Sequence, residues 1–121
     1  MTDNPKNVVA IVDDDPAVRD SLQFLLEAAG YSAVTYGSAA AFLDGDADWP
    51  ACLIVDQHMP EMTGLELAAQ LRRDGANIPV LLVTASPSTF IVARAVLLGI
   101  EMVAEKPVGE DDLLKFVKDH R

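Results

Sequence analysis

The chain has a single cysteine, few cations and no long apolar run. Cys52 has no partner in the chain, so no internal disulfide supports the fold. It sits within a short apolar run and reads as a small buried side chain. No apolar stretch approaches the roughly 18 residues that a membrane-crossing helix needs. The N-terminal segment Met1-Thr2-Asp3-Asn4-Pro5-Lys6 lacks the apolar centre of a secretory signal. Nine Lys and Arg stand against 19 Asp and Glu, for a net charge of −10. That balance excludes the clustered cationic face that nucleic acid or an anionic membrane surface requires. These absences describe a protein of the reducing cytoplasm with no nucleic-acid or membrane partner. Its acidic surface attracts cations instead.

What is present is a regular alternation. Half of the 121 residues are apolar, enough for one domain covering 1–121 and hardly for two. Short apolar runs alternate with helical segments, the pattern of an α/β domain with a parallel sheet. Strands are expected at about 8–13, 32–36, 51–56, 79–84 and 101–105. The first helix, about 16–29, carries Val18, Leu22, Leu25, Leu26 and Ala29 at helical spacing, with Gly30 suited to its C′ position. Ser38 caps a helix of about 39–45. Thr63 and Glu66 read as a capping box for a third helix that stops at Asp74-Gly75. Ser86-Pro87 reads as a cap with proline at N1 of a fourth helix running to Gly99. Glu110-Asp111-Asp112 opens the last helix, about 110–120, where acids suit the positive dipole end.

The strand ends carry the chemistry. The run Val8 to Val12 ends in Asp13-Asp14-Asp15, Ala51 to Val55 ends in Asp56, Pro79 to Val83 ends in Thr84, and the fifth segment ends in Lys106-Pro107. Open parallel sheets bind ligands at the carboxyl ends of their strands, so the four ends converge on one pocket. Asp13, Asp14 and Asp56 placed together repel one another and stay ionised only around a cation. Hard oxygen ligands suit Mg²⁺. One carboxylate can then act as nucleophile toward phosphorus, with Lys106 and the Thr84 hydroxyl serving the equatorial oxygens. Taken singly, each signal has a plainer reading: an acidic triplet as a helix cap or solvated loop, Thr84 as a turn residue, Lys106 as a surface lysine.

These segments resemble the receiver domain of bacterial two-component response regulators. The resemblance rests on Ile11 to Asp15, on Val55-Asp56-Gln57-His58-Met59-Pro60-Glu61-Met62-Thr63-Gly64, on Val83-Thr84-Ala85 and on Lys106-Pro107. Their separations are 42 residues from Asp14 to Asp56, 28 more to Thr84 and 22 more to Lys106. The runs Pro16 to Leu22 and Ser38 to Leu43 are similar to FixJ-type receivers. The resemblance covers essentially the whole chain and implies a flavodoxin-like (βα)5 fold with sheet order 2-1-3-4-5. It implies that Asp56 takes a phosphoryl group from a sensor histidine kinase docked near the first helix. Asp14, Asp56 and the backbone carbonyl of His58 would ligate Mg²⁺, with Asp13 acting mainly through water. Lys106 would pair with the phosphoryl group beside a Lys106-Pro107 bond that is often cis, and Thr84 would move toward the phosphate.

Three positions depart from that pattern. Val103 stands where receivers commonly carry Tyr or Phe, so an aromatic gate cannot operate there. His58 stands two residues after Asp56; its imidazole is either an exposed bystander or a group that orients water at, or shields, the phosphoryl group. The segment Ser88 to Leu98 has Arg94 as its one charge and no clear polar stripe. With strand 101–105 it forms an expected apolar interaction face of Ile91, Leu97, Leu98, Met102 and Val103, for a homodimer or a downstream protein. The chain ends at Arg121, just after the fifth helix. The expectation is a stand-alone receiver without output domain or external substrate, signalling by protein contact or phosphorelay. A phosphate-independent binding module on the same fold is the alternative. A phosphatase is disfavoured because Gln57 to Pro60 offers no second acid, and a flavin site because no glycine- or hydroxyl-rich loop follows the first strand.

Overall fold

Val, Ile and Leu in runs too short for helices make strands, and runs apolar at every position make strands buried on both faces. The structure is a computed structural model that describes residues 8–45 and 49–120. Its elements are β1 (Val8–Val12), α1 (Pro16–Ala28), β2 (Ser32–Tyr36), α2 (Ala39–Leu43), β3 (Cys52–Asp56), α3 (Gly64–Arg73), β4 (Val80–Thr84), α4 (Thr89–Leu97), β5 (Met102–Glu105) and α5 (Glu110–His120). Every strand pairing is parallel, and the order is β2-β1-β3-β4-β5. This is the flavodoxin-like fold expected from the sequence. No described helix is long and apolar enough to cross a membrane.

Alternation along the central strands builds two cores. Ala10, Val12, Leu53, Val55, Val80 and Leu82 pack with α2, α3 and α4 on one face. Val9, Ile11, Cys52, Ile54, Leu81 and Val83 pack with Leu22 and Leu26 of α1 and Leu113, Phe116 and Val117 of α5 on the other. Burial pushes the Cys52 thiol up to about 12, so it stays protonated and serves as core filler.

The helix signals mostly act as expected. Thr63 and Glu66 form a capping box, and Gly30 follows α1 at a φ of 95°, which a side chain rarely adopts. Asp15 caps α1 by accepting from the Ala17 amide at 2.9 Å. The start of α4 differs from the sequence expectation. Ser88 is the cap, accepting from the Ile91 amide at 3.1 Å, and the helix begins at Thr89. The Ser86 amide is instead tied to the Thr84 hydroxyl at 3.2 Å, which leaves Ser86-Pro87 as linker. Starting at Thr89 turns Ile91 and Ala95 inward, one helical turn apart.

That phase corrects the expected apolar face. Ile91 lies in the core, while Leu98 and Val103 are half-buried against the α3–α4 core and Met102 against the other. The apolar side chains α4 leaves most exposed are Phe90, Val96 and Leu97, at 69%, 72% and 74%, with Val92 at 45%. At the far end of α4 the Arg72 guanidinium donates to the carbonyls of Leu98 at 2.8 Å and Gly99 at 3.3 Å. It also reaches Ala76 and Ile78, both at 2.9 Å. One cation thereby ties the carbonyls at the end of α4 to those of the connection between α3 and β4.

Candidate functional site

Parallel pairing puts the carboxyl ends of β1, β3, β4 and β5 along one edge. Val12 pairs with Val55, Asp56 with Val83, and Thr84 with Glu105. Asp13 and Lys106 follow the ends of β1 and β5, while Asp56 and Thr84 are the last residues of β3 and β4. The structure therefore brings Asp13, Asp14, Asp56, Thr84, Lys106 and His58 to one place.

Lys106 organises the site. Its Nζ lies 3.1 Å from Asp13 Oδ2 and 3.3 Å from Asp56 Oδ2. Asp56 Oδ1 accepts from the His58 amide at 3.3 Å, and Asp13 Oδ1 from the Asp15 amide at 2.9 Å. Asp13 and Asp56 are buried, whereas Asp14 is exposed. Burial, and then the neighbouring Asp13 charge, raise the Asp56 pKa against the His58 amide and Lys106. For Lys106, burial alone would lower the value; the hydrogen bond and charge of Asp13, then those of Asp56, outweigh it and raise it. Carboxylate oxygens of Asp13, Asp14 and Asp56 lie within 4.8 Å of one another. Three hard oxygen donors around one cation's width suit Mg²⁺. Asp15 spends its carboxylate on the α1 cap, which separates it from the other two acids of the triplet.

Two contributors, Arg19 and Gln57, carry no sequence signal of their own. Arg19 donates to the Asp13 carbonyl at 2.7 Å and pins the β1–α1 turn. Gln57 is buried; its side-chain oxygen accepts from the Leu65 amide at 2.8 Å and its carbonyl from Gly64 at 3.2 Å. Those bonds hold the start of α3 against the end of β3. The imidazole of His58 is exposed, yet Nε2 lies 3.2 Å from Thr84 Oγ1. Residues 26 apart meet there because β3 and β4 are neighbours. The Lys106-Pro107 bond is cis.

The fold and the sequence as a whole match one known group of proteins. A family model described as the response regulator receiver domain matches residues 9–118. The chain belongs to this family. The transcriptional regulatory protein FixJ of Azorhizobium caulinodans is 37% identical over 111 residues, 91% of this chain and 53% of that protein. The response regulator protein TodT of Pseudomonas putida is 34% identical over 113 residues, 93% and 50% of the two chains. The receiver thus spans about half the length of these relatives. Among solved structures, a CheY-like receiver domain protein from Methanospirillum hungatei JF-1 superposes with a TM-score of 0.86 at 27% identity. The match covers 93% of this chain and 91% of that one. FixJ-N superposes with a TM-score of 0.81 at 31% identity, covering 100% and 98%.

Gly64 ties the site to the fold. A Cβ there would lie 2.8 Å from the Asp56 carbonyl oxygen and 2.6 Å from Leu82 Cδ1. In a free helix Gly→Ala stabilises; here it forces the end of β3 away from α3. Gly64→Ala is expected to lower stability by about 2 kcal/mol, read as a fall in the denaturation midpoint. An unchanged or higher midpoint would show that the contact relaxes freely.

Proposed function

We propose that this receiver accepts a phosphoryl group on Asp56 from the phosphohistidine of a sensor histidine kinase. The observation that carries the reading is Lys106 Nζ placed between the buried carboxylates of Asp13 and Asp56 at the sheet edge. An Asp56 carboxylate oxygen attacks phosphorus and forms a P–O bond. The P–N bond of the donor breaks, and its electron pair stays on the departing imidazole nitrogen, which takes up a proton from water. Lys106 balances charge on the phosphoryl oxygens, and the Thr84 hydroxyl donates to one of them. Asp13, Asp14, Asp56 and the His58 carbonyl would hold Mg²⁺, which when bound neutralises negative charge on the phosphate.

The phosphorylated form signals in the cytoplasm by protein contact, with a downstream protein or a second copy of the chain. Exposed Phe90, Val96 and Leu97 of α4 supply the apolar part of that face, flanked by half-buried Leu98, Met102 and Val103. Ile91 takes no part, because it belongs to the core.

Incubation with phosphoramidate, whose P–N bond resembles that of phosphohistidine, tests the reading. One phosphoryl group is added in the presence of Mg²⁺ and none in EDTA; no adduct in either case contradicts it. Mg²⁺ alone is expected to stabilise the fold by about 1.4 kcal/mol at ten times its dissociation constant. Asp14→Ala, at an exposed position, weakens that gain. A thermal midpoint insensitive to Mg²⁺ would remove the cation from the reading.

A further inference from the structure

Thr84 has no exposed surface, and its hydroxyl meets two groups. The Ser86 amide donates to Oγ1 at 3.2 Å, and His58 Nε2 lies 3.2 Å away. A buried hydroxyl must place its own proton. Ser86 N–H is a donor, so among the described residues Nε2 is the acceptor in position to take it. An accepting Nε2 leaves the ring proton on Nδ1. The imidazole itself is exposed, so it can swing away without opening a hole in the core.

We propose that His58 is a positioning residue that latches the Thr84 hydroxyl in the unphosphorylated receiver. The inference rests on the phosphoacceptor reading of Asp56. A threonine hydroxyl carries one proton. Given to His58 Nε2, that proton is not available to a phosphoryl oxygen on Asp56, so phosphorylation has to break the latch. The latch holds down the population of released Thr84, and so the ease of phosphorylation, by the factor that one net hydrogen bond carries, about fivefold. It also gives Thr84 a defined resting partner in a receiver whose Val103 cannot supply an aromatic gate.

Nitrogen NMR of the neutral His58 ring in the unphosphorylated protein reads the tautomer. The Nδ1–H form is expected, and an Nε2–H form overturns the latch. His58→Ala is expected to move the Thr84 methyl signal of the unphosphorylated protein, and His58→Gln, whose amide oxygen can accept the same proton, to return it toward the parent position. Phosphorylation of Asp56 by phosphoramidate is expected to run about fivefold faster in His58→Ala. That gain should vanish when Thr84→Val is also present. A Thr84 signal unmoved by His58→Ala, or a rate gain that persists in the Thr84→Val background, overturns the proposal. If Asp56 takes no phosphoryl group from any donor, it is the phosphoacceptor reading that fails; the tautomer and the Thr84 signal still decide the contact.

Discussion

Asp56→Asn leaves no phosphoryl adduct with any donor, and in metal-free solution near neutral pH the variant melts above the parent chain. Loss of the adduct follows from removing the nucleophilic carboxylate. The gain in stability follows from the sign of the Asp56 shift. Burial and the Asp13 charge raise its folded pKa above the ordinary carboxylate value. Between those two values the folded state binds more protons than the unfolded state, so stability falls as pH rises. The contribution is fully present below the ordinary carboxylate range and is lost once pH has passed the raised value. Asparagine keeps the shape and carries no charge, so its advantage is greatest above the raised value and fades at acid pH. Melting curves across the acid range check this; a variant less stable than the parent at neutral pH would place Asp56 in a net favourable ion pair.

Lys106→Met is expected to slow phosphorylation of Asp56 by about 100-fold, the scale set by removing one preorganised donor to developing negative charge. Methionine keeps an unbranched stem of similar reach but offers no cation. Stability falls as well, because Asp13 and Asp56 are 3% and 4% exposed and share this one cation. The loss is smaller than for a sealed ion pair, since the Lys106 side chain is 26% exposed. Its folded pKa is raised, so the lysine's contribution is present through neutral pH and is lost only as pH rises through that raised value. Initial rates with phosphoramidate and a thermal scan are the two readouts. A rate within twofold of the parent would take Lys106 out of the chemistry.

The strands were legible because the physics is local: Val8 to Val12 and Ala51 to Val55 are apolar at every position, which suits a strand covered on both faces. Their order came from the resemblance to receiver domains, since no local pattern encodes it. The meeting of Asp13, Asp56, Thr84 and Lys106 was legible because parallel strands bring their carboxyl ends to one edge. What stayed hidden depends on side-chain direction. Ser86 and Ser88 both have cap chemistry, and choosing between them needed the Thr84 hydroxyl that occupies the Ser86 amide. The inward turn of Ile91 follows from that helix start, so the apolar face was assigned one residue that the core had already taken. The contact of His58 with Thr84 joins a loop residue to the end of a strand, and Arg72 bonds carbonyls up to 27 positions away; neither leaves a periodicity to read.

Reductive trapping of the phosphorylated chain tests the central claim most directly. Borohydride converts an acyl phosphate to an alcohol, and peptide mass mapping then finds the altered residue. The alteration is expected at Asp56 alone, only in samples that received both phosphodonor and Mg²⁺. Label on Asp13, on Asp14 or on no carboxylate would contradict Asp56 as the phosphoacceptor.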